Sequence, residues 1–223
     1  MKICINYYGQ PRNVGLTRKI YDNFVHDQHN EFYILYTTWT TENIIDFKNL
    51  FTSAHINQIE LPNITIYNDI VTNYNLDNTN PYKSIEHYVK GLYIKKMSSY
   101  TIDNFEKINN IKFNFIISLR TDIYMADNRL SVFYDYINNN LNNNIFLASG
   151  PKFDVHNEGA EPDTICISDK QNTFKVLSQF DILKFCTLYN KNIFHPETSF
   201  KKCLSYYKFN VINLNFRSFP EPL

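Results

Sequence analysis

An arginine and an aspartate stand two positions apart, at Arg120 and Asp122, directly after the most strand-like run of the sequence, residues 113–119 (FNFIISL). With the two-residue period of a strand, both side chains fall on one face at the end of that strand. A carboxylate there can ligate Mg²⁺ or Mn²⁺ bridging a diphosphate, while an arginine neutralises phosphate charge directly. An ion pair at a strand end, without a role in binding, is the alternative.

A second candidate is the loop Gly9-Gln10-Pro11-Arg12, which follows the first predicted strand at 2–8. In an open α/β sheet, ligands bind beside the loops at the carboxyl ends of the strands. Glycine permits close approach of the backbone, proline fixes the loop, and arginine offers a planar fork of donors suited to a diphosphate or a nucleobase. The loop is neither a Walker loop nor GxGxxG, and an ordinary turn with a solvated arginine is the alternative.

Two polar segments in the second half could also take part in chemistry. The run 152–162 (KFDVHNEGAEP), followed by Asp163, could hold the hydroxyls of a sugar or a metal ion, or could be a solvated loop. Further on, His195-Pro196-Glu197 opens the last predicted helix. The helix dipole would stabilise the Glu197 carboxylate there whether or not it acts as a base.

Composition excludes several classes of protein. Lys+Arg and Asp+Glu are balanced at 22 each, so there is no excess positive charge for general nucleic-acid binding. No apolar run approaches the about 18 residues that a membrane span needs, and no export signal is visible. Together with four widely spaced cysteines, which indicate reduced thiols, this predicts a cytoplasmic protein. The high content of residues with AT-rich codons, such as the 17 Tyr and 18 Phe, indicates an AT-rich genome.

The elements that must position these residues alternate between strands and helices. Strands are predicted at 2–8, 31–38, 63–68, 113–119, 144–149, 163–168 and 209–216. Helices are predicted at 14–26, 41–51 and 84–108, after a capping box at Ser168-Asp169-Lys170-Gln171, and from Pro196 onward. This order predicts an α/β fold with a mostly parallel central sheet flanked by helices. We expect one domain over 1–223, with a nucleotide-binding half at 1–125 and a more irregular half at 126–223.

Four segments, taken in order, resemble a known family. They are ICINYYGQPRN at 3–13, FIISLRTDIYM at 115–125, DTICISD at 163–169 and HPETSFKKCLSYY at 195–207. The chain is similar in these segments to small GT-A-type glycosyltransferases found in surface-polysaccharide gene clusters and in large DNA viruses. The resemblance covers nearly the whole chain. The AT-rich composition agrees with an origin in a large DNA virus, and a viral protein of this family would act in the host cytoplasm.

The resemblance implies a GT-A-like, Rossmann-like fold and transfer of a sugar from a nucleoside-diphosphate sugar, such as a UDP-sugar, to a glycan, a glycoprotein or another hydroxyl acceptor. It places Gly9, Gln10 and Arg12 near the nucleotide, and Arg120 and Asp122 where related enzymes carry Asp-x-Asp. With arginine at the first motif position, Asp122 is left as the evident ligand for Mn²⁺ or Mg²⁺. The metal would then be weakly held, completed by another residue such as His156 or His195, or dispensable.

Transfer also needs a carboxylate near the acceptor hydroxyl, because a general base must take up its proton. Glu197 is the first candidate for this base in an inverting transfer, and Asp163 is the second.

Two other functions remain open. One is a non-catalytic module that binds a nucleotide sugar or carbohydrate. The other is a sugar nucleotidyltransferase, for which the loop at Gly9 is short and poor in glycine.

Overall fold

Strands and helices alternate along the part of the chain that the computed structural model describes: residues 1–11, 15, 18, 21–22, 24–25, 29–62, 73–76, 84–121, 123–125, 133–149, 165–187 and 193–220. The strands are β1 (Lys2–Tyr8), β2 (Glu31–Trp39), β3 (His55–Ile59), β4 (Asn75–Leu76), β5 (Phe115–Arg120), β6 (Ile123–Met125), β7 (Asn144–Ser149), β8 (Ile165–Ser168), β9 (Ile193–Phe194) and β10 (Asn210–Pro220). The helices are α1 (Ile45–Leu50), α2 (Ile85–Asn109), α3 (Tyr134–Asn139), α4 (Lys170–Leu177) and α5 (Pro196–Tyr206), with a 3₁₀ helix at Ser178–Cys186.

Eight of these strands form the central sheet, in the order β3-β2-β1-β5-β8-β7-β10-β6. The four strands from β3 to β5 are mutually parallel, whereas β8 is antiparallel to both of its neighbours, β5 and β7. Strand β10 is parallel to β7, and β6 is antiparallel to β10. Six strands therefore run in one direction, and the predicted α/β class with a mostly parallel sheet is confirmed.

Apolar side chains bury both faces of the central strands. On one face, Ile5 of β1 and Ile117 of β5 pack with Phe47 of α1. On the opposite face, Cys4 and Ile116 pack with Ile102 of α2. Continuous apolar runs such as FIISL suit this double burial, since alternate side chains enter different layers.

Helix α2 crosses the second of these faces and runs antiparallel to the parallel strands. Thr101 accepts a hydrogen bond from Thr37 of β2 (2.8 Å), and Tyr93, two turns earlier, stacks on Trp39 near the end of β2. The amino-terminal half of α2 thus lies near the carboxyl ends of the strands. The side chain of Ser84 caps the helix by accepting from the His87 amide (3.2 Å), and the predicted span 84–108 is confirmed within one residue. Neither α2 nor any shorter helix in the described residues is apolar enough, over enough length, to cross a membrane.

Several sequence predictions are corrected locally. Helix α1 begins at Ile45, later than the predicted 41. Asp169, not Ser168, caps α4, because its Oδ1 accepts from the Asn172 amide (2.7 Å). A strand at His55–Ile59 was not predicted, and the predicted strand 63–68 lies outside the described residues.

The four cysteines are buried and free. Burial raises the pKa of the Cys166, Cys186 and Cys203 thiols to about 12. All three therefore stay protonated at neutral pH and act as small apolar core residues.

Candidate functional site

Strands β1 and β5 are neighbours in the sheet and end side by side, since Tyr8 pairs with Arg120 in the parallel register. The residues that follow each strand, Gly9 and Thr121, meet at this carboxyl edge. The Thr121 hydroxyl donates a hydrogen bond to the carbonyl oxygen of Gln10. Gly9, Gln10 and Arg120, which were singled out from the sequence, are therefore brought together by the fold at the edge where open α/β sheets bind ligands.

Gly9 has a backbone conformation that favours glycine, with φ at 101°. Its amide donates to the carbonyl of Thr37 in β2 (3.1 Å), and its own carbonyl accepts from the Tyr36 hydroxyl (2.9 Å). Burial raises the pKa of Tyr36, which keeps this hydroxyl protonated as a donor. These hydrogen bonds hold the loop after β1 against β2. The Gln10 side chain adds a further hydrogen bond, which it donates to Glu42 (3.0 Å).

A buried polar layer lies directly beneath this edge. The Asn6 amide of β1 donates to Ser98 of α2 (3.1 Å) and to Ser118 of β5 (3.4 Å). Because side chains two residues apart share a face of a strand, Arg120 lies on the same face as Ser118, towards α2. All three residues of the layer are buried. The half-buried Arg120 therefore stands above a polar layer, not above the apolar core.

Glu197 lies in the first turn of α5, and its Oε2 is 3.3 Å from Nδ1 of the buried His195. The Glu197 side chain is 21% exposed, so one end of the carboxylate is held while the group still reaches solvent. Pro196 at the start of the helix fixes this turn. A carboxylate in this setting can accept a proton from a bound hydroxyl.

Lys95 of α2 is a residue that the sequence reasoning missed. It is only 5% exposed, and its ammonium lies 4.6 Å from the ring centroid of Phe200, one turn along α5 from Glu197. A signal was present in the sequence, since Leu92, Lys95 and Ile102 share the buried face of the helix at spacings of three and seven. Lys95 connects the layer below Arg120 with the helix that carries Glu197.

Several predicted site residues lie outside the described residues: Arg12, Asp122, His156 and Asp163. Within the described ranges, no group of three or more His, Cys, Asp or Glu side chains could hold a metal ion. Of the described charged side chains near the edge, Arg120 and Lys95 are cations, and Glu42, which accepts from Gln10, is an anion. The two cations fit an anion and not a divalent metal ion.

A shallow depression on the surface is lined by Lys48, Phe51, Thr52, Ala54 and Ile56, where α1 leads into β3. None of the predicted site residues contributes to its lining. It lies at the start of β3, whereas the candidate site lies where β1 and β5 end.

No family model and no curated protein matches the sequence. Among solved structures, an active-site mutant of LgtC superposes with a TM-score of 0.50 at 8% identity, over 96% of this chain and 73% of LgtC. The chain has a GT-A-like fold. A second LgtC structure is described as a galactosyltransferase in complex with donor and acceptor sugar analogues. At an identity this low, the similarity shows that the two chains share a GT-A-like fold, but it gives no information about shared substrates.

Two other solved structures are similar over nearly the whole chain. The 1–349 fragment of S. aureus TarS, in complex with UDP-GlcNAc, has a TM-score of 0.47 at 10% identity and covers 97% of this chain. Mouse xyloside xylosyltransferase 1, in its apo form, has a TM-score of 0.48 at 10% identity over 96% of this chain and 85% of its own. The chain spans 58% of the TarS fragment.

Proposed function

We propose that this chain transfers a sugar from a nucleoside-diphosphate sugar, such as a UDP-sugar, to a hydroxyl group of a glycan or glycoprotein. The observation that carries the proposal is the polar carboxyl edge of β1 and β5, where the Gly9 loop and Arg120 meet within a GT-A-like fold. This edge is the ligand-binding position of open α/β sheets. LgtC, which has a similar fold, is described as a galactosyltransferase, in agreement with sugar transfer.

The proposed chemistry follows from where charge develops. As the bond between the anomeric carbon and the diphosphate oxygen breaks, negative charge grows on the leaving diphosphate. Arg120 supplies a fixed positive charge there, and the open backbone at Gly9 permits close approach of the phosphates. Gln10 and Arg12 contact the nucleotide in this proposal. The half at 1–125 would bind the donor, and the half at 126–223 would bind the acceptor.

Glu197 is proposed as the general base. Its carboxylate takes the proton of the acceptor hydroxyl as the acceptor oxygen bonds to the anomeric carbon, which gives an inverting transfer. The contact with His195 holds the carboxylate in place (3.3 Å), and Asp163 is the second candidate for the same role. Because Arg120 already supplies charge at the diphosphate, we expect Mn²⁺ or Mg²⁺ at Asp122 to be weakly bound or dispensable.

The test is to incubate the protein with a panel of nucleotide sugars and glycan acceptors, with Mn²⁺, with Mg²⁺ and with a chelator. Acceptor-dependent release of a nucleoside diphosphate supports transfer. Release of pyrophosphate would mark a nucleotidyltransferase, and donor binding without turnover would mark a non-catalytic module. We expect Arg120→Ala to lower kcat/KM by about 100-fold, the scale of losing one preorganised charge at a transition state.

In the same assay, we expect Glu197→Gln to lower kcat by at least about 100-fold with donor affinity unchanged. The matched control is Glu86→Gln, which removes a carboxylate that is ion-paired with Lys90 in the first turn of α2. Normal transfer by Glu197→Gln, with donor bound normally, would remove Glu197 from the role of base.

A further inference from the structure

Lys95 is a buried cation without an acidic partner in the described residues. No carboxylate there lies within ion-pair distance of its ammonium. The contact that it makes is with the face of the Phe200 ring (4.6 Å). A buried ammonium is costly unless an opposite charge compensates it, and an aromatic face compensates only part of that cost.

The position of Lys95 relative to the candidate site follows from the contacts of α2. Ser98 binds Asn6, and Lys95 precedes Ser98 by one helical turn. Since α2 runs antiparallel to β1 and β2, this turn is a step of about 4.5 Å towards the carboxyl edge. Arg120 lies two residues beyond Ser118 on the same face of the sheet. Lys95 and Arg120 therefore approach the same end of the sheet from the helix and from the strand.

The surroundings of Lys95 extend across the sheet to β8. Burial raises the pKa of the Cys166 thiol, and the nearby Lys95 ammonium opposes this rise. Cys166 pairs with Ser118 in the antiparallel register, so both side chains lie on the face covered by α2. Lys95 thus stands between α2, the β5–β8 pair and Phe200 of α5.

We propose that Lys95 completes an anion site at the carboxyl edge of β1 and β5, and that the anion is the diphosphate of the nucleotide donor. This rests on the proposed function for the identity of the ligand, but not for the existence of the anion site. Lys95 and Arg120 would then share the charge of one diphosphate. A cation that has no acidic partner in the described part of the chain would be matched by the diphosphate when donor binds.

This arrangement has a consequence that a purely structural lysine would not have. Replacing an unpaired buried cation by an apolar side chain of similar length removes a desolvation penalty. Lys95→Met should therefore leave the ligand-free protein as stable as the wild type or more so, while it weakens diphosphate binding. A variant that gains stability but loses binding is typical of a residue whose main role is to bind a ligand.

The experiment compares wild type, Lys95→Met and the matched control Lys96→Met by thermal unfolding, without ligand and with UDP, uridine or inorganic pyrophosphate. Lys96 is the next residue of α2 and already pairs with Asp181 (2.6 Å). We expect UDP and pyrophosphate to raise the Tm of wild type and Lys96→Met, but not that of Lys95→Met. Fluorescence of Trp39, the one tryptophan, gives the affinities; we expect Lys95→Met to weaken UDP at least about 10-fold and leave uridine unchanged.

The outcomes separate this inference from the proposed function. If wild type and Lys95→Met bind UDP and pyrophosphate equally, the role of Lys95 is wrong and the proposed function stands. If pyrophosphate stabilises wild type through Lys95 but no nucleotide binds, the anion site stands and the proposed donor is wrong. A wild type that responds to neither ligand overturns the anion site and excludes a UDP-sugar as the donor.

A second measurement covers the case in which Lys95→Met does not fold. The variant Lys95→Gln keeps a polar end at this position and is compared with the matched control Lys96→Gln by titration with pyrophosphate. We expect Lys95→Gln to weaken pyrophosphate binding at least about fivefold relative to Lys96→Gln, because the charge that faces the anion is lost. Equal affinities of the two variants would overturn the proposal.

Discussion

Helix α2 carries two buried charged side chains, Glu106 and Lys95, and they differ in the partners that surround them. Glu106, 7% exposed, accepts hydrogen bonds from the Phe113 amide (2.8 Å) and from the Lys170 ammonium of α4 (2.6 Å). Lys170 also binds Asp103, one turn earlier on α2 (2.7 Å). Lys95, 5% exposed, has an aromatic ring beside it and no described carboxylate. Within the described residues, one buried charge has acidic or basic partners and the other has none.

The two buried charges lie at opposite ends of the parallel strands. Phe113 precedes β5, so Glu106 lies near the amino ends of the parallel strands, whereas Lys95 lies near their carboxyl ends. Loops at the carboxyl ends are the ones that bind ligands in open α/β sheets. A charge paired inside the protein holds helices and strands together. A cation at the ligand-binding edge that has no carboxylate partner among the described residues suits a site for an anionic ligand.

The largest effect on stability should come from breaking the completed cluster. Glu106→Ala leaves the Phe113 amide without its acceptor and removes a partner from Lys170, so we expect a loss of ~2–4 kcal/mol in the free energy of unfolding. Urea unfolding measures this loss. The matched control is Glu86→Ala on the same helix, whose partly exposed pair with Lys90 (2.5 Å) should contribute under about 0.5 kcal/mol. Similar losses for the two variants would show that burial adds nothing to the contribution of the Glu106 cluster.

A smaller effect is expected at the edge itself, from Gly9→Ala. No atom lies within 4 Å of a Cβ added at Gly9, so the cost arises from the backbone φ of 101°. We expect a loss of ~1–2 kcal/mol in unfolding free energy, together with weaker donor binding, because the loop must shift.

Gly91 supplies the control for this substitution. It lies within α2, and a Cβ added there also meets no atom within 4 Å. Gly91→Ala should raise the unfolding free energy by up to ~1 kcal/mol, since alanine favours a helix. Equal effects of Gly9→Ala and Gly91→Ala, measured by the same unfolding assay, would show that the loop after β1 is not held in its conformation by the contacts at the edge.

Sequence patterns predict some strands and helices of this chain and miss others. Strong apolar periodicity predicted β1, β2, β5 and α2 within about two residues, because burial on one face or on both determines such patterns. The strand His55–Ile59 (HINQI) was missed, since it lies at the edge of the sheet and is only half-buried. Its polar residues give no strand pattern.

The candidate site was predictable only in part. The position of Gly9 and Arg120 at one edge follows from strand order in a parallel sheet. The cluster of Glu106 with Lys170 joins residues 64 positions apart, and no local pattern indicates such a pair. Lysine in an amphipathic helix is usually solvated. The burial of Lys95 therefore depends on α5 and Phe200 packing over it, which is a tertiary effect.

The smallest expected effect is a pH dependence confined to the completed cluster. Hydrogen bonds from Lys107 and then from Lys170 lower the pKa of Asp103 below its ordinary value of 3.8. A carboxyl with a lowered folded pKa adds stability that is fully present above the unfolded pKa and is lost as pH falls through the folded pKa. The stability difference between wild type and Asp103→Asn should therefore be constant near neutral pH and shrink below about pH 4.

Urea unfolding of the two proteins between about pH 6 and pH 2.5 measures this difference. The effect is small, because Asp103 is partly exposed and solvent screens its ion pairs. Added salt should reduce it further. Since Glu106 and Lys170 are present in both proteins, their own titration largely cancels in the comparison. A difference that grows as pH falls would mean that protonated Asp103, and not its carboxylate, is the form that the cluster stabilises, and the pairing assigned to this end of α2 would be wrong.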